Sequence, residues 1–199
     1  MTRVEDAVAA AQLGVDAIGL VFYEKSPRHL SVLQAREICH AVPAFVTRVA
    51  LFLNPDKSLV ERVISEADVD LLQFHGTEPE PFCSSFKLPY IKALGTGDAN
   101  SLSEQLEQYR SARGLLLDSH AQGEAGGTGK TFDWSSIPEA LKGRVILAGG
   151  LKPENIAEAI QQVRPYAVDL SSGVESAPGI KDFNLMTRLM QEIKRVDCE

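Results

Sequence analysis

A chain of 199 residues, 44% hydrophobic and 24% charged, is long enough for one packed domain and short for two. Its net charge of −7 argues against a nucleic-acid surface, and it holds no run of 18 apolar residues to cross a membrane. Three scattered cysteines (Cys39, Cys83, Cys198), with no CxxC pair and no secretory leader, point to a reduced, cytoplasmic setting without disulfides or structural zinc.

Thr2 and Glu5 have capping-box spacing, which predicts a first helix there. A buried strand, "AIGLVF" (17–22), follows, and Ser31 with Gln34 repeats the capping signal for a second helix. Strands are then expected at 46–53, 70–74, 90–94, 114–118, 144–148 and 167–171, each rich in Val, Ile, Leu or Phe. Amphipathic patterns near 56–67, 78–87, 101–112, 134–141, 153–163 and 182–196 predict the helices between and after them.

Alternating strands and helices imply right-handed crossovers and a parallel sheet. One strand start about every 25 residues favours a (β/α)₈ TIM barrel in a single domain over 1–199. Eight helices are expected but only seven strands, as though the first strand were missing from this chain. A barrel lacking one strand leaves an edge unpaired.

Sites in such barrels lie at the carboxyl ends of the strands. Arg28 sits on a loop fixed by Pro27, where a surface bridging role is the plainer alternative. "QFHG" puts Gln73 and His75 on one side of a strand, because side chains alternate, although a strand-end histidine is often purely structural. Asp118 ends a Leu-Leu-Leu run; partial desolvation there would raise its pKa and suit it to donate a proton, the alternative being a loop cap. Gly149 and Gly150 close one strand, and Ser171, Ser172 and Gly173 close the next. Glycine backbone N–H groups and serine hydroxyls at these two strand ends predict a phosphate-bearing, small-molecule ligand.

Gly129-Lys130-Thr131 matches the tail of a nucleotide-binding P-loop, but the first glycine of that motif belongs at position 124, which is Glu124. A cradle of fixed length cannot tolerate that spacing, and the nucleotide reading fails.

Seven stretches, in order, carry a resemblance: "TRVEDA" (2–7), "DAIGLVFYEKSPR" (16–28), "LLQFHG" (71–76), "LLLDS" (115–119), "GGTGKTFDW" (126–134), "LAGGLKPENI" (147–156) and "VDLSSGVE" (168–175). Together they resemble the phosphoribosylanthranilate isomerase family of tryptophan biosynthesis. The resemblance implies an Amadori rearrangement of a phosphorylated aminoaldose, with Asp118 as the general acid on the ring oxygen. It implies that Arg28 holds the anthranilate carboxylate, that the 149–150 and 171–173 loops hold the phosphate, and that "GGTG" is a lid. No cofactor or metal is expected, since the reaction needs only proton transfers, and the chain is expected to be a monomer or homodimer.

The chain departs from the family at one point. The family's general base is a cysteine in a "KICG" strand immediately before the residues matching Met1-Thr2-Arg3, and none of Cys39, Cys83 or Cys198 can replace it by position. This absence coincides with the missing strand and implies little activity for the chain as it stands. The alternatives are an inactive phosphate-ligand-binding remnant, or a phosphosugar lyase or synthase using Lys92, for which no partner is evident in the sequence.

Overall fold

The computed structural model describes residues 1–95, 99–118 and 133–197. Seven parallel strands form one curled sheet: β1 (Ala17–Val21), β2 (Thr47–Phe52), β3 (Leu71–Phe74), β4 (Tyr90–Gly95), β5 (Gly114–Asp118), β6 (Val145–Leu147) and β7 (Ala167–Val168), paired in chain order. A two-stranded hairpin, β8 (Glu175–Ala177) and β9 (Ile180–Lys181), follows the last of them. The helices are α1 (Val4–Leu13), α2 (Val32–Ala41), α3 (Lys57–Glu66), α4 (Glu80–Cys83), α5 (Ala99–Gln108), α6 (Ile156–Val163) and α7 (Phe183–Asp197).

The pleat sorts the strand residues into two layers. Leu20, Phe22, Ala50, Phe52, Leu72, Phe74, Leu94, Leu117 and Leu147 face the helices and build the main core. Its centre is aromatic. Phe52 stacks between Phe22 and Phe74 at 5.4 and 5.8 Å, and Phe74 also meets Phe82, Phe86 and Tyr90. The opposite face turns inward, where Ile91, Ala93, Leu116 and Ala148 pack with Leu71 and Ile146 into a second, smaller cluster. That inner cluster fills only the β3–β6 side, and Ala17 and Gly19 on the inner face of β1 are exposed.

Among the described residues β1 pairs only with β2, and β7 only with β6, so seven strands do not close the ring. Residues 1–3 lie against β1 and the hairpin that follows β7. The Met1 nitrogen donates to the Gly19 carbonyl of β1 at 2.5 Å, and the Thr2 hydroxyl donates to the Gly179 carbonyl of the hairpin. The expected Thr2 capping box therefore does not form: that hydroxyl is engaged elsewhere, and Arg3 is the extended residue before α1. Ser31 and Gln34 do make both bonds of their capping box. The helix expected at 78–87 is confined to Glu80–Cys83, and the one at 134–141 becomes two 3₁₀ turns, Trp134–Ser136 and Glu139–Leu141. Pro138 explains the second break, since it can neither donate a helical hydrogen bond nor admit the preceding carbonyl.

Phe74 is fully buried at the middle of the aromatic cluster. Phe74→Ala is expected to cost about 3–5 kcal/mol by opening a cavity there, measured as a lowered urea midpoint with unchanged slope.

Candidate active site

Parallel strands deliver their carboxyl ends to one rim. On that rim Asp118, the last residue of β5, points inward as Leu116 does two residues earlier, and is only 7% exposed. His75, one residue beyond β3, brings Nε2 to 3.2 Å from the Asp118 carboxylate. Gln73, two residues back on the same face, places its amide nitrogen 3.4 Å from His75 Nδ1. With that amide donating, the imidazole proton resides on Nε2, so His75 donates to Asp118. The expected pairing of Gln73 with His75 is present, and Asp118 joins it.

The turn after His75 is held by a buried ion pair. Any side chain at Gly76 would put its Cβ 2.3 Å from Asn54 Oδ1 and 2.9 Å from the Asn54 nitrogen. Glu78 accepts from the N–H groups of Asn54 at 2.7 Å and Gly76 at 3.2 Å, while its other oxygen meets Lys92 Nζ at 2.7 Å. Lys92 also donates to the Gly76 carbonyl at 2.6 Å and is fully buried. Contrary to the sequence expectation, Lys92 has a partner. It lies on the helix side of β4 beside the Tyr109 ring, away from the barrel mouth.

The two glycine loops adjoin one another. Gly149 and Gly150 follow β6 with φ of 88° and 63°, a region that L side chains rarely enter. Asn155 ties the loop down, donating to the Gly150 carbonyl at 3.1 Å and accepting from the Lys152 N–H at 2.8 Å. Gly173 presses against that loop so closely that a Cβ would stand 1.9 Å from the Leu151 carbonyl oxygen. Ser171 precedes a 3₁₀ turn, Ser172–Val174, which presents the second loop.

Arg28 makes a bidentate pair with Glu175, Nε at 2.9 Å and Nη2 at 2.7 Å, and its side chain is 13% exposed. The surface alternative for Arg28 does not hold. Lys181 Nζ donates to the same carboxylate at 3.1 Å and to the Ser171 carbonyl at 2.8 Å. Burial would push the Glu175 carboxyl up, but the Arg28 hydrogen bonds and Lys181 outweigh it and hold it at about 2. Burial pushes the Lys181 ammonium down despite Glu175, so part of the pair's gain is offset.

Sequence reasoning missed Glu175, Lys181 and Asp169. Asp169 directly follows β7, much as Asp118 closes β5, and that parallel was the available signal. Desolvation raises the pKa of its carboxyl, with His75 and Lys181 acting against the rise and Asp118 adding to it. Asp169 thus shares the mouth with Asp118, His75 and the Lys181 network. Nothing in the sequence marked Lys181.

Cys39 in α2 and Cys83 in α4 are buried, and burial lifts their thiols to about 11 and about 12. They are no bases for this site. Cys198, the "GGTG" segment and the false P-loop lie outside the described residues. A cavity of about 880 Å³ lies near the amino-terminal ends of β3–β6, away from these groups.

A family model described as N-(5′-phosphoribosyl)anthranilate (PRA) isomerase matches residues 1–192. The chain belongs to the PRA isomerase family. It is 50% identical over 194 residues to the N-(5′-phosphoribosyl)anthranilate isomerase of Pseudomonas fluorescens strain SBW25, covering 98% of this chain and 92% of that protein. The phosphoribosylanthranilate isomerase structure from Thermotoga maritima superposes with a TM-score of 0.87 at 38% identity, covering 98% and 96% of the two chains. A PRA isomerase in complex with reduced 1-(o-carboxyphenylamino)-1-deoxyribulose 5-phosphate gives a TM-score of 0.82 at 35% identity, covering 98% of this chain and 95% of that chain.

Two outcomes follow from this geometry. Gly173→Ala must force the two loops apart, costing about 1–3 kcal/mol as a lowered melting temperature. Glu175 has a folded pKa below its ordinary 4.5, so its contribution is complete above pH 4.5 and lost as pH falls toward 2. Acid titration of unfolding should accordingly show a smaller loss across that window in Glu175→Gln than in the unaltered chain.

Proposed function

We propose that Asp118 is the general acid of the family's reaction and that the 149–150 and 171–173 loops hold the substrate phosphate. The chain is a PRA isomerase, an intramolecular isomerase of tryptophan biosynthesis. The substrate, N-(5-phosphoribosyl)anthranilate, is a closed aminoaldose, and the product is the open 1-(2-carboxyphenylamino)-1-deoxyribulose 5-phosphate. In this reading Asp118 gives its proton to the furanose ring oxygen as the bond to C1 breaks, leaving an iminium. A base then takes the proton from C2, and the resulting enolamine tautomerises to the ketone, gaining a proton at C1 and giving up the one on the C2 hydroxyl. His75 orients the Asp118 carboxyl, Gln73 fixes the His75 tautomer, and Arg28 receives the anthranilate carboxylate.

The observation that carries the reading is the convergence at one rim: His75 is 3.2 Å from Asp118, and the glycine loops leave the two strands that follow Asp118 in the sheet. Backbone N–H groups there can grip a phosphate without any added counter-charge. The gap between β1 and β7 is where a closing strand would bring the family's cysteine base to the mouth. Free buried thiols at Cys39 and Cys83 are in keeping with the cytoplasm. One solved relative is described as monomers generated from a dimeric enzyme, and either state suits this chain. The lyase reading loses its support, because Lys92 is buried in its pair with Glu78.

Asp118→Asn should lower kcat by ~10²–10⁴-fold with KM little changed, followed through the anthranilate fluorophore. Retention of more than a tenth of the rate would remove Asp118 from the acid role. The chain starting at Met1 should turn over slowly, and a version with Lys-Ile-Cys-Gly joined ahead of Met1 should gain ~10²–10⁴-fold in kcat. The same extension carrying alanine for its cysteine should not.

A further inference from the structure

Glu175 lies on the hairpin that follows β7, 147 residues along the chain from Arg28, yet the two side chains form an enclosed ion pair at the mouth, 4% and 13% exposed. The contact uses the Nε–Nη2 edge of the guanidinium. Arg28 has five N–H donors, so the opposite edge, Nη1 with the second Nη2 proton, is left to form another bidentate pair. Glu175 is in turn anchored by Lys181 Nζ, which donates to Glu175 at 3.1 Å and to the Ser171 carbonyl at 2.8 Å. Lys181 is itself fixed at its backbone N–H by Asp6 at 2.9 Å. A continuous path therefore runs from the phosphate-side loop through Lys181 and Glu175 to Arg28.

We infer that Glu175 is a specificity-determining positioning residue: it holds Arg28 in one orientation, at a set distance from the phosphate loop, so that a ligand bearing both a phosphate and an aromatic carboxylate is favoured over one bearing the phosphate alone. The inference rests on the reading of Arg28 as the carboxylate holder. Its physical basis is preorganisation. A free arginine has many rotamers to lose when it takes up a ligand, whereas one already gripped along one edge has few. Glu175 also offsets the positive charge of Arg28 and Lys181, which keeps two buried cations from repelling one another in so small a volume.

Equilibrium binding tests this without turnover. The probes are reduced 1-(o-carboxyphenylamino)-1-deoxyribulose 5-phosphate and the same compound with a plain phenyl ring, each titrated calorimetrically into the chain and its variants. Glu175→Gln should weaken the carboxylate-bearing probe by roughly ten- to a hundredfold, the scale of a lost charge-assisted contact, and leave the phenyl probe within about twofold. Equal weakening of both probes would mean that Glu175 only supports the fold, and would overturn the inference. So would unchanged binding, or tighter binding of the carboxylate probe, which would mean that Glu175 merely competes for Arg28. If melting shows that Glu175→Gln is not folded, Lys181→Met and Glu175→Asp are judged by the same criterion, each with a smaller selective loss. Arg28→Gln separates the two levels. Should that variant leave the preference between the probes intact, the Arg28 reading itself fails; should it abolish the preference while the Glu175 variants do not disturb it, only the role given to Glu175 falls.

Discussion

The alternation of side chains along parallel strands is the constraint on which the rest depends. One face of each strand must satisfy the helices, and its Phe, Leu and Ile residues do so. The other face is then committed to the interior, and the last inward residue of each strand to a single rim. Leu116 and Asp118 on β5, and Gln73 on β3 with His75 just past its end, are consequences of that geometry. A register shift of one residue in β5 would send Asp118 into the Phe and Leu layer and bring Leu117 to the mouth. Packing outside the barrel and chemistry inside it are thus set by the same pleat.

The Lys92–Glu78 pair shows how the outer layer reaches the site. Two buried charges are costly to desolvate, and apolar residues of similar volume would often be as stable. Here the pair also satisfies the backbone N–H groups of Asn54 and Gly76 and the Gly76 carbonyl, at a turn too tight for any Cβ. The Gly76 groups would otherwise be buried unsatisfied. The turn begins directly after His75, so what holds Gly76 also holds the imidazole against Asp118. A polar network in the helix layer therefore serves the barrel interior, although none of its members touches the mouth.

Most of the barrel was legible because its signals are local. Buried strands are short apolar runs, and every one of the seven expected segments contains a strand. Strand-end acids, histidine and glycines were legible for the same reason, since periodicity locates the end and side-chain type names the chemistry. What escaped was long-range. Thr2 has the spacing of a helix cap, but its hydroxyl is taken by Gly179, 177 residues away. Glu175 and Lys181 gain their meaning only when the hairpin folds back on Arg28 and Ser171. Lys92 looked solitary because its partner lies across a strand-to-helix turn. Asp169 was the one local signal passed over: it has the same strand-end acid pattern as Asp118.

In the proposed reading, charge explains why the phosphate falls to backbone groups rather than to cationic side chains. The protein carries a net charge of −7, and its ligand brings a phosphate and a carboxylate into a mouth that already holds Asp118, Asp169 and Glu175. Arg28 and Lys181 are the cations placed against them, and both are already engaged with Glu175. A phosphate gripped mainly by lysines would have to draw them away from these carboxylates. In that reading the N–H groups at Gly149, Gly150, Ser172 and Gly173 ask for no such exchange, because backbone donors carry no counter-ion. Glycine meets the backbone requirement of both loops: at 149 and 150 it permits the left-handed turns, and at 173 it admits the Leu151 carbonyl where a side chain would stand.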